Sequence, residues 1–561
     1  MSTRIWISEM TFSDNTTLKF EKDDIIVFVG PNNAGKSASL KEASNLLKLK
    51  SDRGKVVKDI TIEKDGDETE LMDHLISFST KHFTTNPEAS YQGFGYDIYE
   101  PLAKYRWTTY KEGINDLYSL FVNILTTEQR IQAANPAPNI KLTTQPINHP
   151  IHYLQKDDLL EKRFSDYFRQ AFGTDLIVHR NAGSEVPLYV GEKPIPESGD
   201  DRVSSAYLKE LEKLDLLHEQ GDGMRSFVGV LLNAFISNHS ILFIDEPEAF
   251  LHPPQARLLG KMLAKDLPSA RQLFLATHSE DFLKGLLDAN VPKLKIIRIQ
   301  RDVSINKVST LTSLDIASIW NDSLLRHSNV LNGLFHSKVV ICESDSDCRF
   351  FSAILSAQFD HTGTIAPDIL FIHCGGKHRI PTAIKALKKL NVPIKVVSDF
   401  DVLNNINPIK IIFEDLGGIW ADVENDWKIV KKEIELKRPE FLTVDIKREI
   451  EGTFNSTTEK IFPSEKINEI QRALKKASAW SEAKEVGKAF IPNGNATQAF
   501  ERIQINFKEK GFLIVEVGEL ESFVKSVGNH GPKWVSEVLT KDLMTDPELE
   551  ISRQFVRQFL N

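Results

Sequence analysis

Two groups of residues in this 561-residue chain have types and spacings that can do chemistry. The first is Gly30-Pro-Asn32-Asn33-Ala-Gly35-Lys36-Ser37, which fits G-x-x-x-x-G-K-[ST]. Gly30 and Gly35 permit backbone angles closed to other residues, so successive N–H groups, those of Asn32 and Asn33 included, can line one anion-binding concavity. A helix starting near Lys36 adds its positive end. Lys36 would reach the β- and γ-phosphates of ATP, and the Ser37 hydroxyl would ligate Mg²⁺. Further on, Asp245-Glu246 and His278 each follow an apolar run. Asp245 is placed to hold the same Mg²⁺, and Glu246 to orient or deprotonate a water. Alone, His278 reads as a capping or packing histidine; some thirty residues after the acidic pair, it is a candidate γ-phosphate sensor.

The second group is acidic: Glu343, Asp345 and Asp347, then Asp399-Phe-Asp401. Hard oxygen ligands in a cluster suit Mg²⁺ or Mn²⁺, and two such ions can hydrolyse a phosphodiester. Each piece has a plainer explanation. Asp345 and Asp347 could cap a helix, and Asp399-Phe-Asp401 could be a polar turn. Their joint occurrence after three apolar runs, with Gly375-Gly376 between, favours a metal site.

The elements that must carry these residues are short apolar strands. Ile25–Val29, 241–245 and 273–276 read as buried strands of one α/β unit, and 338–342, 368–373 and 394–398 as parallel strands of another. Open parallel sheets deliver ligands' partners at the carboxyl ends of their strands, where all these residues lie. Residues 3–20 read as two strands around Ser13-Asp14-Asn15, and 56–78 as strand-like. An aromatic, helical stretch at about 100–172 reads as an insertion that forms a helical core or a dimer contact. Strand patterning returns at 175–180 and 187–191. The helical, charged stretch at about 405–508 reads as an insertion in the second sheet. Its Lys/Arg clusters, with 385–390, read as solvated helix faces or as a phosphate-backbone groove. Domains are expected at 1–335 and 336–561.

Composition narrows the classes. Hydrophobic residues make up 41% and charged residues 26%, as in ordinary soluble proteins, and no apolar run is long enough to span a membrane. Cys342, Cys348 and Cys374 cannot make a disulfide framework or a zinc ribbon and suit a reducing cytoplasm. The net charge of −9 argues against a globally basic nucleic-acid binder but not against a local basic face. All ten tyrosines lie between Tyr91 and Tyr207, so the second half offers none as a nucleophile.

With these motifs in place, residues 1 to about 330 resemble an ABC-type ATPase of the branch that includes SMC-like DNA-repair proteins. Gly30–Ser37 matches the Walker A loop, Ile241–Glu246 the Walker B strand, Leu251-His252-Pro253 part of the D-loop and His278 the switch histidine. The signature segment departs from that pattern. Gly221-Asp222-Gly223-Met224 lacks the usual serine, Gly223 remains as the nucleotide contact, and Arg225 is a candidate replacement donor. The second half resembles the Toprim fold in Glu343, Gly375-Gly376 and Asp399 with Asp401. The E-x-x-x-D spacing of Glu343 and Asp347 is like its nuclease branch. An ABC ATPase followed by such a unit is the arrangement of the OLD (overcoming lysogenization defect) family. That resemblance implies a further acidic residue in G-[DE]-[LI]-E, matched by Gly518-Glu519-Leu520-Glu521, with Glu521 as the ligand. It also implies a basic residue, Lys377 or Lys533.

The expectation is an ATP-binding, metal-dependent DNA endonuclease, dimeric through its ATPase heads. The resemblance implies anti-phage defence, sometimes with a partner protein or nucleic acid. The alternative is a nucleotide-dependent DNA-binding sensor whose Toprim unit does not cleave. A topoisomerase is disfavoured by the missing tyrosine and a primase by the missing zinc-ribbon cysteines.

Overall fold

The computed structural model describes residues 3–51, 54–83, 88–93, 95–145, 147–236, 238–269, 271–311, 320–321, 329–437, 443–475 and 479–560. The chain divides into two compact units, Met1–Asp322 and Ser323–Asn561. The expected boundary at 335/336 thus falls inside the second unit, and much of 312–328 lies outside the described residues.

In the first unit a six-stranded sheet runs in the order Ile305–Leu311, Leu294–Asp302, Ile25–Val29, Gln272–Ala276, Ile241–Asp245, Val122–Leu125. Every neighbouring pair is parallel except the first. Ile25–Val29 and Gln272–Ala276 are buried at every position, which is why they read as unbroken apolar runs and not as alternating ones. Phe28, Phe274 and Phe243 stack across three of these strands, with ring centroids 6.5 and 5.0 Å apart. Helix Lys36–Lys48 buries Leu40, Ala43, Leu46 and Leu47. Arg4–Phe12 and Thr17–Lys19 form the expected hairpin, with Asn15 at φ 68° in its turn.

Two expectations for this unit change. The strand-like stretch 56–78 is strand only over Val57–Asp65; Glu68–Phe78 is a helix. Gly66 (φ 102°) breaks the strand, and Asp67 with Glu70 forms a capping box that starts the helix. The stretch 100–172 is not wholly an insertion, because Val122–Leu125 is the edge strand of the main sheet, in parallel register with Ile241–Ile244. Four residues between helical segments give no periodicity to detect. The aromatic residues around it are core: Trp107 and Phe121 are buried and stack at 5.5 Å.

The second unit is built on a four-stranded parallel sheet in the order Ile369–His373, Lys338–Cys342, Ile394–Ser398, Phe512–Ile514. An aromatic cluster of Phe350, Phe351, Phe523, Trp534, Phe555 and Phe559 packs with Val340, Val397 and Leu513 of these strands. Between the third and fourth strands come helices Ile406–Asp415, Glu424–Leu436, Thr443–Asn455, Ser464–Lys475, Ala479–Val486 and Asn495–Glu509, over the stretch read as an insertion. Lys385 pairs with Asp415 at 3.6 Å, as on an ordinary solvated face, and the basic side chains of 472–476 lie outside the described residues.

Trp534 is fully buried against Phe350 at 5.2 Å and donates Nε1–H to the carbonyl of Val524. Trp534→Ala is expected to cost the second unit about 3–5 kcal/mol, measured as a lower denaturant midpoint.

Candidate nucleotide and metal sites

The strand Ile25–Val29 ends at Gly30, whose φ is 147° and where a Cβ would lie 2.0 Å from the carbonyl oxygen of Ile299. Only glycine fits. Gly35, at φ 102°, is the residue from which helix Lys36–Lys48 starts. Between them Asn32 and Asn33 are exposed, and Asn33 takes φ 61°. The Lys36 ammonium donates to the carbonyls of Gly30 (2.8 Å) and Pro31 (3.0 Å), which anchors it across the loop. Ser37 Oγ donates to Asp245 Oδ1 at 2.8 Å. The loop hydroxyl and the strand-end carboxylate, 208 residues apart in sequence, thus meet where an octahedral oxygen-seeking ion would need both. Burial raises the Asp245 carboxyl above its usual range.

Glu246 takes a left-handed backbone (φ 49°), and its Oε1 lies 3.3 Å from His278 Nδ1. Glu248 completes the group. It is buried, accepts from Thr277 Oγ1 (2.6 Å) and from the His278 amide (3.2 Å), and lies 3.7 Å from His278 Nδ1. Glu248 was not singled out by the sequence reading, although D-E-P-E was its signal. Arg130 was missed as well. It is fully buried just beyond the Val122–Leu125 strand and donates to the backbone carbonyl of Asp245 and to Thr127 Oγ1 (3.1 Å). Gly223 sits in the first turn of helix Asp222–Leu231, where a Cβ would lie 2.7 Å from the Phe250 carbonyl oxygen. Arg225 bonds to Asp222 and Asn135, each at 3.2 Å.

In the second unit the strand ends converge. Glu343 follows Lys338–Cys342, and its Oε1 accepts from the Asp399 amide at 3.2 Å. The Gly375-Gly376 turn closes against the same residue, the Gly376 amide donating to the Glu343 carbonyl at 3.2 Å. Asp347 is buried in the first turn of helix Asp345–Thr362, in a capping box with Ser344. It therefore caps the helix and also belongs to the acidic group, because Glu521 and Asp399 share its electrostatic environment. Lys377 Nζ lies 3.1 Å from Asp401 Oδ2, whereas Lys533 is exposed on helix Pro532–Val538. Glu521 Oε1 accepts from the Gly531 amide at 2.7 Å, and Glu519, Glu521 and His530 bring one ligand atom each within 4.8 Å of one another. Lys484, which the sequence reading did not mark, lies 3.2 Å from Asp399 Oδ2 and 3.4 Å from Glu519 Oε2.

The electrostatics agree with the geometry. Burial, then the neighbouring Asp401, raises the Glu343 carboxyl; burial, then Glu343, holds Asp399 well above the usual carboxylate range. Burial is also the first cause of the upward shifts of Asp347 and Glu519. Burial opposes the charge of Lys484, but Asp399, Asp401 and Glu519 outweigh it and hold the ammonium above its ordinary value. Asp401 Oδ1 and Ser398 Oγ are buried without a partner among the described residues. A cluster of hard oxygens short of positive charge, with orphaned oxygens at its centre, fits divalent cations such as Mg²⁺ or Mn²⁺.

The raised carboxyls mean that the folded state holds more protons than the unfolded chain from about pH 4 upward through their raised values, so stability falls as pH rises across that window. Binding of Mn²⁺ should then release protons, read as a dependence of calorimetric heat on buffer ionisation; buffer-independent heats would contradict it. Glu248→Ala, which strands the buried Thr277 hydroxyl and the partly buried His278 amide, should lower the unfolding free energy by about 1–3 kcal/mol and slow ATP turnover.

Comparison with known proteins matches one segment in each unit. Residues 130–283 match the family described as AAA domain (AbiEii toxin, Type IV TA system), and residues 334–401 match that described as Overcoming lysogenization defect protein-like, TOPRIM domain. The Old nuclease of Escherichia phage P2 is 24% identical over 173 residues, 30% of this chain, and the match spans 29% of the phage protein's length. Among solved structures, an SMC head bound to the C-terminal winged-helix domain of ScpA aligns with 55% of this chain and 98% of its own, at 14% identity and a TM-score of 0.33. The SMC head domain from Thermotoga maritima aligns over the same shares at 12% identity and a TM-score of 0.29. Those two alignments are too loose to assign any residue. In this order, the two matches support an ATPase segment followed by a Toprim segment similar to that of overcoming lysogenization defect proteins.

Proposed function

We propose that this protein is an ATP-binding and ATP-hydrolysing, divalent-metal-dependent DNA endonuclease that acts in anti-phage defence. The observation that carries the reading is the gathering of Glu343, Asp399 and Asp401, which follow parallel strands, with Asp347 and Glu521 from adjoining helical turns. Those carboxylates would hold the cations, with Lys377 beside Asp401 placed to neutralise a phosphate oxygen. Bound there, Mg²⁺ or Mn²⁺ supplies an activated water and charge neutralisation at the leaving oxygen. Water is the nucleophile in this reading, and no tyrosine follows Tyr207 to form a covalent tyrosyl adduct.

In the ATPase unit Gly30, Asn32, Asn33, Gly35 and Lys36 would cradle the phosphates. Ser37 and Asp245 would hold Mg²⁺, with Glu246 placed to orient a water and His278 to meet the γ-phosphate. Heads pair so that the signature helix carrying Gly223 caps the partner's nucleotide, which makes a homodimer the minimal assembly. The nucleotide state of the first unit regulates cutting by the second. Further partners are DNA and a protein or nucleic acid of a defence system, and the setting is cytoplasmic.

The test is incubation of the purified protein with supercoiled and linear DNA, with Mg²⁺ or Mn²⁺, with and without ATP. Glu343→Gln and Asp399→Asn are each expected to reduce cutting by more than about 100-fold, beyond what loss of an outer-shell partner costs. Lys36→Ala should abolish the response to ATP without abolishing metal-dependent cutting. Parental rates of cutting in both carboxylate variants would overturn the proposal.

A further inference from the structure

Lys484 enters the acidic cluster from an unexpected direction. It lies on helix Ala479–Val486, inside the insertion, 36 residues before Leu520 and its flanking glutamates. Its ammonium bridges Asp399 Oδ2 (3.2 Å) and Glu519 Oε2 (3.4 Å), two carboxylates carried by different elements, each less than one fifth exposed.

The helix that carries it is fixed against the site by backbone. Gly518, at φ 120°, has the Lys484 carbonyl oxygen where a Cβ would stand, at 2.1 Å. Gly487, at φ 68°, faces the Glu516 carbonyl oxygen in the same way, at 2.2 Å. Ser522 Oγ donates to the Glu485 carbonyl at 2.8 Å, and the Lys488 amide donates to the Glu516 carbonyl at 2.8 Å. On its other side Gly518 accepts from the Phe400 amide at 2.7 Å, which ties the same loop to Asp399-Phe-Asp401. Trp480 and Ala483 are buried beneath the helix. A lysine on a freely solvated helix face has none of this support.

We propose that Lys484 is a positioning residue and a tethered counter-cation: its ammonium holds Asp399 and Glu519 together and competes with a divalent cation for the oxygens of that pair. This inference rests on the metal-dependent reading above and adds a control to it. A divalent ion approaching Asp399 meets a positive charge already in hydrogen-bonding contact with its oxygen, so the intrinsic affinity of that position is held down. The ion's occupancy then depends on displacement of the ammonium, which the long, flexible lysine stem allows while its helix stays fixed.

The test is a titration of the nucleotide-free full-length protein with Mn²⁺, free ion being counted by its electron paramagnetic resonance signal. Glu343→Gln in each background identifies the part of the binding that belongs to this site. Lys484→Gln should bind Mn²⁺ tighter by about tenfold or more, the effect of removing one adjacent like charge. Lys484→Arg, which keeps the charge, should bind as the parent does. The Mn²⁺ concentration for half-maximal plasmid cutting should fall in parallel in Lys484→Gln. Unchanged or weaker binding by Lys484→Gln overturns the inference and leaves the metal site standing. Equal tightening in the Gln and Arg variants overturns it too, as a disturbance of the helix. Absence of any Glu343-dependent binding in every protein overturns the metal-site reading and this inference with it.

Discussion

Like charges forced together govern the second unit. Glu343, Asp347, Asp399, Asp401, Glu519 and Glu521 belong to one electrostatic neighbourhood, most of it withdrawn from water, and each ionised carboxylate there raises the cost of the next. A fold does not gather such a group for its own stability. The sheet must be rigid enough to hold the carboxylates against their repulsion. The aromatic cluster of Phe350, Phe351, Phe523, Trp534, Phe555 and Phe559 under three of its strands supplies that rigidity. The two lysines that reach in, Lys377 and Lys484, relieve part of that charge.

The ATPase unit answers the same demand with less acid. One hydroxyl and one carboxylate, Ser37 and Asp245, meet at 2.8 Å, and the buried Arg130 stands behind the strand end that carries the aspartate. Glu248 acts through its side chain: its carboxylate receives the His278 amide and the Thr277 hydroxyl, so the segment after the Gln272–Ala276 strand is held in one place. Both units thus rely on one arrangement, in which strands buried on two faces end at a shared edge and expose their chemistry there.

That arrangement explains what was legible beforehand. Strands buried on both sides are runs of apolar residues with polar residues at their ends, so Ile25–Val29, Ile241–Asp245 and Lys338–Cys342 announce both themselves and the residues they present. Val122–Leu125 did not, because it is four residues long and flanked by helix. Glu68–Phe78 was hidden because its apolar residues continue those of the preceding strand, and only Gly66 and Asp67 mark the change. Lys484 was invisible for another reason. It is one of many lysines on charged helices, and what distinguishes it is the close backbone approach at Gly518, which no pattern along the chain records.

The left-handed backbone of Glu246 has a consequence of its own. Along a regular strand, adjacent side chains point to opposite faces, so Asp245 and Glu246 could not both serve one edge of the sheet. A reversal of handedness at a single residue turns the second carboxylate toward His278 while the first stays on Ser37. Glutamate is poorly suited to that conformation, and holding it there costs on the order of 1–3 kcal/mol. Residues that tolerate the turn better, glycine above all, would make the protein sturdier and take away the group it aims. The chain therefore keeps a locally unfavourable backbone at the place where two neighbouring acids face different partners.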